Sequence, residues 1–253
     1  SFHNIYMLAT GKHISYLLFS HSTWKGEGKI TIDFYREVFF FKCHFLDIKT
    51  VNKSTFLSIA HAYQVNTILC HLERSFILQK RTKMFSKSEK QQVSKMYHDE
   101  RPKIILVSKV KYFMIRSSKF QSNLLSVGGI KLDCIYLTFI TKTAFLSNIV
   151  KMNGGLLSHE NSTMVKIVSS QFAGNIITND LSNICMENVS IIIFIDVQIF
   201  DNKVGMSGGG FKFAQFGKAY IYNSSIIQNS AGHSGGAMHL HIGIQVHIKN
   251  CKI

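Results

Sequence analysis

Proline is nearly missing, with Pro102 the one example in 253 residues. Proline removes a backbone N–H, and stacked strands need that donor at almost every ladder position, so its scarcity suits a sheet-rich chain. Long apolar runs are missing too. No stretch of about 18 apolar residues survives inspection, since even Ile191 to Ile199 is broken by Asp196, and this excludes a membrane-spanning helix. Acid is short: 14 Asp and Glu face 29 Lys and Arg, for a formal charge of +15. Such a balance invites nucleic acid, an anionic glycan or a membrane surface. No Arg-rich helix or aromatic-and-basic RNA motif accompanies it, so the charge reads as solvated faces and nucleic acid is not expected as a partner. The five cysteines, Cys43, Cys70, Cys134, Cys185 and Cys251, form neither a disulfide framework nor a C-x-x-C metal pattern. Cys43 and Cys70 stand 27 residues apart, a spacing that stacks them on neighbouring coils, and free buried thiols are the expected state. The sequence shows no signal peptide and no initiating Met, and it stops inside a repeat at Ile253, so it reads as a piece of a longer protein.

What is present is a large apolar content, 46% with 20 Phe, enough to exclude a disordered chain. It is also periodic. Asp196, Asn223 and Asn250 recur every 27 residues, as do Ile199, Ile226 and Ile253, and Gly208-Gly209 returns as Gly235-Gly236. A unit repeated in this way stacks along an axis, and its length suits one coil of a parallel β-helix. The expected fold is therefore all-β, a single-stranded solenoid of about 27 residues per coil.

Three segments follow. Residues 1–79 hold strand-like runs without a clean repeat, either drifted N-terminal coils or an unrelated β segment. Residues 80–103 carry eight Lys or Arg against three acids and read as a basic helical or loop insertion ended by Pro102. Residues 104–253 are the repeats. Within them Phe120, Phe145, Phe172, Ile199 and Ile226 each precede an asparagine by three positions, namely Asn123, Asn148, Asn175, Asn202 and Asn229. Glycine pairs follow four of the five, and the coil after Asn175 instead offers Leu181-Ser182-Asn183. That coil is expected to turn differently and to be the weakest link of the stack.

The columns set the facing. Ile140, Ile167, Phe194, Ile221 and Ile248 form one, and Thr138, Val165, Ile192, Ala219 and Val246 a second, two positions earlier. Residues two apart share a face of a strand, so both columns point inward. The outer columns between them are mixed: Lys166, Ile193, Tyr220 and His247, then Val168, Ile195, Tyr222 and Lys249. Ser169, Asp196, Asn223 and Asn250 fit a bend. The asparagine column is expected at a second corner, where Asn tolerates left-handed backbone angles and where stacked amides bond to one another. Asn202→Ala is then expected to cost about 1 kcal/mol. The pairs Gly208-Gly209 and Gly235-Gly236 are expected at a corner where a side chain would clash.

Phe-x-x-Asn followed by Gly-Gly-[Ala/Ile/Leu] stands here as Phe120 and Asn123 with Gly128-Gly129-Ile130, as Phe145 and Asn148 with Gly154-Gly155-Leu156, and as Ile226 and Asn229 with Gly235-Gly236-Ala237. In phase over about residues 112–253, the pattern resembles the repeat of the polymorphic outer-membrane-protein family of autotransporter adhesins. The resemblance implies a right-handed parallel β-helix of the pectin-lyase-like type. It also implies an extracellular or cell-surface place and adhesion to a protein or glycan partner.

A carbohydrate-active β-helix, a pectin lyase or polygalacturonase-like enzyme, is the alternative. It needs clustered carboxylates, and of Asp180, Glu187, Asp196 and Asp201 no two share a column and a face, so no catalytic residue is assigned. His239 and His241 alternate with apolar residues and project from one outer face, where His233 or His247 would complete a metal site. No cofactor is expected. Asn52, Asn161, Asn188 and Asn223 head Asn-x-Ser/Thr sequons.

Overall fold

The structure is a computed structural model. It describes residues 2–3, 6–10, 16–20, 22–27, 29–33, 35–51, 56–68, 70–73, 76–78, 105–125, 128–151, 155–178 and 182–253. The basic stretch Lys80 to Lys103 lies outside the described residues, as do Gly154, Asp180, Leu181 and Asn52.

Among the described residues every element is a strand, and every strand pairs in parallel with its neighbours in two sheets of 15 and 14 strands. Each coil supplies four strand segments, and the coil of Ile130 shows them best: Ile130–Asp133, Leu137–Thr141, Ala144–Leu146 and Ile149–Val150. In later coils the first two segments join into one bent strand, Leu157–Val168, Ile184–Ile195, Phe211–Tyr222 and Met238–Lys249. The solenoid is built of turns of about 27 residues, and from Ile105 onward about six stack in register.

The register matches the columns. Ile140 pairs Ile167, Ile167 pairs Phe194, Phe194 pairs Ile221 and Ile221 pairs Ile248. Four of these five are fully buried, and Ile248 is 42% exposed because nothing among the described residues stacks on the last coil. Phe145 lies flat on Phe172 with ring centroids 4.5 Å apart, and Phe120 on Phe145 at 4.8 Å. These separations equal the step between paired strands, so one coil spacing sets both the backbone ladder and the aromatic stack. Each buried aliphatic contributes about 1.5–3 kcal/mol.

The strands before Lys80 pair into the same sheets. His44–Val51 pairs His71–Glu73, which in turn pairs Lys119–Gln121. Leu57 pairs directly with Ile105, 48 positions later instead of 27, so this one coil carries the extra length of the basic stretch.

Left-handed corners shape the coils, in the coil of Ile130 at Cys134, Lys142 and Ser147, and their placement corrects one expectation. The residues with positive φ are not Asn123, Asn148, Asn175, Asn202 and Asn229 but the residues just before them: Ser122, Ser147, Gly174, Asp201 and Gln228. Asparagine is there for its amide. Asn175 donates from Nδ2 to Asn202 Oδ1 at 3.0 Å and to the Phe145 carbonyl at 3.0 Å. Its own Oδ1 accepts from the backbone N–H and the Nδ2 of Asn148, at 3.0 and 2.9 Å. Both donors and both lone-pair directions are used, which is why a wholly buried amide is tolerated.

The bend column behaves as expected, with Ser169, Asp196, Asn223 and Asn250 all at φ between 47° and 55°. The residue after this corner forms a ladder that sequence reasoning missed: Cys43, Cys70, Ser118, Thr143, Ser170, Ser224 and Cys251 all donate to the carbonyl two residues back. Thr143 and Val197 donate their N–H groups in turn to Ser170 and Ser224 on the next coil. Cys43 and Cys70 are thus stacked, buried and free. The thiol contact draws Cys43 down to about 7, with burial opposing, and pushes Cys70 up.

The coil carrying Ser182-Asn183 is not displaced. Ile184–Ile195 keeps its register with the coils on both sides, and the Leu157 N–H reaches the Asn183 carbonyl at 3.1 Å. Ser182 and Asn183 are fully buried, and the Ser182 hydroxyl donates to the Gly208 carbonyl, so a side chain bonds the next coil where glycines stand elsewhere. At Gly208 and Gly235 φ is +70° and +65°, and a Cβ on Gly209 would run into the Gly236 carbonyl.

Candidate functional site

Inward positions are consumed in holding the stack, so chemistry must come from the outer faces. On the face formed by the first strand segment, Asp133 pairs Glu160 and Glu160 pairs Glu187 in one column. Sequence reasoning left Glu187 isolated because it did not place Asp133 and Glu160 in its column. Paired strands bring such side chains to about 4.8 Å apart at their Cα atoms. Lys131, nearly buried on the same face, holds Glu160 Oε2 at 3.0 Å. Glu187 pairs onward with Ala214, which ends the acidic column. At the corner beside it, Asn188 donates to Asn161 at 2.8 Å and Asn161 to Asp133 at 3.0 Å. Asp196 and Asp201 lie at two further corners, away from this column.

His239 and His241 do share one outward face, their ring centroids 6.5 Å apart. Ser234 Oγ lies 3.3 Å from His239 Nδ1. Below His239 the column holds Lys212, not a carboxylate. Partial burial, then the Lys212 charge and His241, push the His239 pKa down. His247 does not join them: it sits past the left-handed corner at Ile242, on the next face, stacked on Tyr220 at 5.2 Å. His233 is exposed on the connecting loop. Among the described residues no group of three or more His, Cys, Asp or Glu is placed to hold a metal ion.

A third cluster was not singled out from sequence. Tyr63 and Tyr112 meet edge to face at 5.3 Å, and Lys111 Nζ lies 5.0 Å from one ring centroid and 5.4 Å from the other. Tyr136 follows on the next coil, its backbone bonded to that of Val110 at 3.1 Å. Tyr63 is 43% and Tyr136 51% exposed, unusual for rings of this size.

The sequon residues Asn161, Asn188 and Asn223 are all exposed at corners. No helix among the described residues is long and apolar enough to cross a membrane. Comparison with protein-family models, with curated proteins and with solved structures finds no match.

Proposed function

We propose that the chain is a non-enzymatic repeat scaffold, secreted or displayed at a cell surface, that binds a protein or glycan through its outer faces. The resemblance to autotransporter adhesin repeats suggests this role and, with it, a right-handed pectin-lyase-like helix. The supporting observation is the cluster of Tyr63 and Tyr112 with Lys111, followed on the next coil by the exposed Tyr136. Exposed rings held on a rigid ladder offer flat π faces at low entropic cost, and the ammonium adds a donor for hydroxyl or carboxylate groups. The test is a binding screen of the whole chain against immobilised glycans and cell-surface proteins, beside Tyr136→Ala. Retention that falls about tenfold in the variant supports the reading. Equal retention by both proteins removes the cluster from the binding site.

The stacked carboxylates Glu160 and Glu187 favour a second reading, a polysaccharide lyase or hydrolase. A pair of carboxylates on one face is the set of groups a glycosidase needs, one as acid and one as nucleophile or base. Incubation with polygalacturonate and related polysaccharides decides between them: turnover lost in Glu187→Gln would replace the scaffold by an enzyme.

A further inference from the structure

The outer face of the second strand segment, mixed from Lys166 to His247, is apolar along most of its length once the earlier coils are added. Its central column runs Phe39, Asn66, Met114, Phe139, Lys166, Ile193 and Tyr220 in register. Leu137, Met164 and Ile191 line one side, and Val168, Ile195 and Tyr222 the other. All of these but the buried Asn66 are partly exposed, and no described element covers them. Six steps of about 4.8 Å make a strip roughly 29 Å long. A patch of this extent on a soluble chain marks a contact surface.

Charge decides what it contacts. Lys111, Arg116, Lys142, Lys166, Lys218 and Lys249 lie on this face or its corners, against Glu37 and Asp196. The acids are gathered elsewhere, with Asp33, Asp133, Glu160 and Glu187 in one column of the preceding face. A second copy of the same face would set lysine against lysine, so self-association is disfavoured. The partner must be anionic at its surface and apolar beneath. It must also be flat, because stacked coils present side chains flush with one another and leave no relief for a folded partner to grip. From this we propose that the strip docks onto an anionic lipid bilayer, its aliphatic and aromatic side chains entering the headgroup boundary and its lysines pairing with lipid phosphate and carboxylate groups.

This goes beyond the adhesive reading and fails separately from it, because it is tested on lipid with no glycan or protein present. The whole chain is floated with phosphatidylcholine vesicles containing phosphatidylserine, and with vesicles of phosphatidylcholine alone. Binding should favour the phosphatidylserine vesicles by at least about tenfold and weaken steeply with salt. Phe139→Gln with Ile193→Gln should lower it about tenfold at an unchanged circular dichroism spectrum, and Asp201→Asn, at a corner away from the strip, should leave it unchanged. If the double variant does not fold, photo-crosslinking of the unaltered chain to a lipid probe reads the same face, with label expected on Tyr112–Arg116 and Leu137–Thr141. Equal binding to both vesicles overturns the proposal. So does label on the acidic face, or a dimer in lipid-free solution that the double variant dissolves.

Discussion

His159 occupies an inward core position between Leu132 below and Met186 above, is fully buried, and has a hydrogen-bond partner at neither ring nitrogen. Burial alone pushes its pKa from 6.5 down to about 3. Between those values the unfolded chain binds a proton that the folded chain refuses. Stability is therefore complete above the unfolded value and is lost as pH falls toward the folded one. Near pH 5 the gap to the unfolded pKa is 1.5 units, worth about 2 kcal/mol at roughly 1.36 kcal/mol per unit, and the loss approaches about 5 kcal/mol near pH 3. His159→Met puts an apolar side chain between Leu132 and Met186, removes the titration, and should itself stabilise by about 1–3 kcal/mol near neutral pH by eliminating two orphaned polar atoms. Urea unfolding of both proteins near pH 7 and near pH 5 isolates the effect, since all other titrating groups cancel in the difference. The unaltered chain should lose about 2 kcal/mol more than the variant on acidification. Parallel losses would refute the placement of His159 in a dry core.

Three further outcomes follow from the ladder. Ile221→Asp puts an unpaired charge between Phe194 and Ile248 and should unfold several coils at once, seen as loss of β signal by circular dichroism; an unchanged melting curve would reverse the facing. Asn202→Ala removes the acceptor of the Asn175 N–H and amide and the donor to the Phe172 carbonyl. It should cost about 3 kcal/mol in urea unfolding, more than the 1 kcal/mol of a single lost bond, because buried groups are left unpaired. Gly209→Ala drives a Cβ into the Gly236 carbonyl, whereas a Cβ on Gly236 has its nearest neighbour, the Asn229 carbonyl, at 3.1 Å. The first variant should therefore melt well below the second, and equal melting temperatures would contradict the close approach of the two coils.

The inward columns were legible because core chemistry repeats: Ile140, Ile167, Phe194, Ile221 and Ile248 must all be apolar, and a constant coil length keeps them in phase. The corners were legible only in part: the bend at Ser169, Asp196, Asn223 and Asn250 was read in place, whereas the next was read one residue late, at Asn148 and Asn202 in place of Ser147 and Asp201, because a left-handed turn constrains backbone and not side chain. Lys142, Ser169, Asp196 and Asn223 share one corner and no chemistry. What marks many of these corners is the residue that follows, where a buried hydroxyl, thiol or amide reaches a carbonyl, as Ser170 and Asn175 do, although Ile135 and Val197 follow corners without such a group. Cysteine serves this ladder as a weak donor, so Cys43, Cys70 and Cys251 occupy serine positions.

The outer faces were the hardest to read, for a reason built into the fold. Read along a strand, Lys166 among Val165 and Ile167 looks like ordinary alternation, and His247 and Lys249 suggest a polar surface. Surface character in a solenoid is set across coils, by residues 25 or 27 positions apart. Only the register places Met114 beside Phe139, puts Leu137 beside Met164, and draws Asp133, Glu160 and Glu187 together on another side. The same stacking that makes inward positions conform constrains outward ones only through cross-coil pairs such as Lys131 with Glu160. Their segregation into an acidic face and a lysine-edged apolar one has no cause in the core, and it is the observation on which the proposed contact with an anionic bilayer rests.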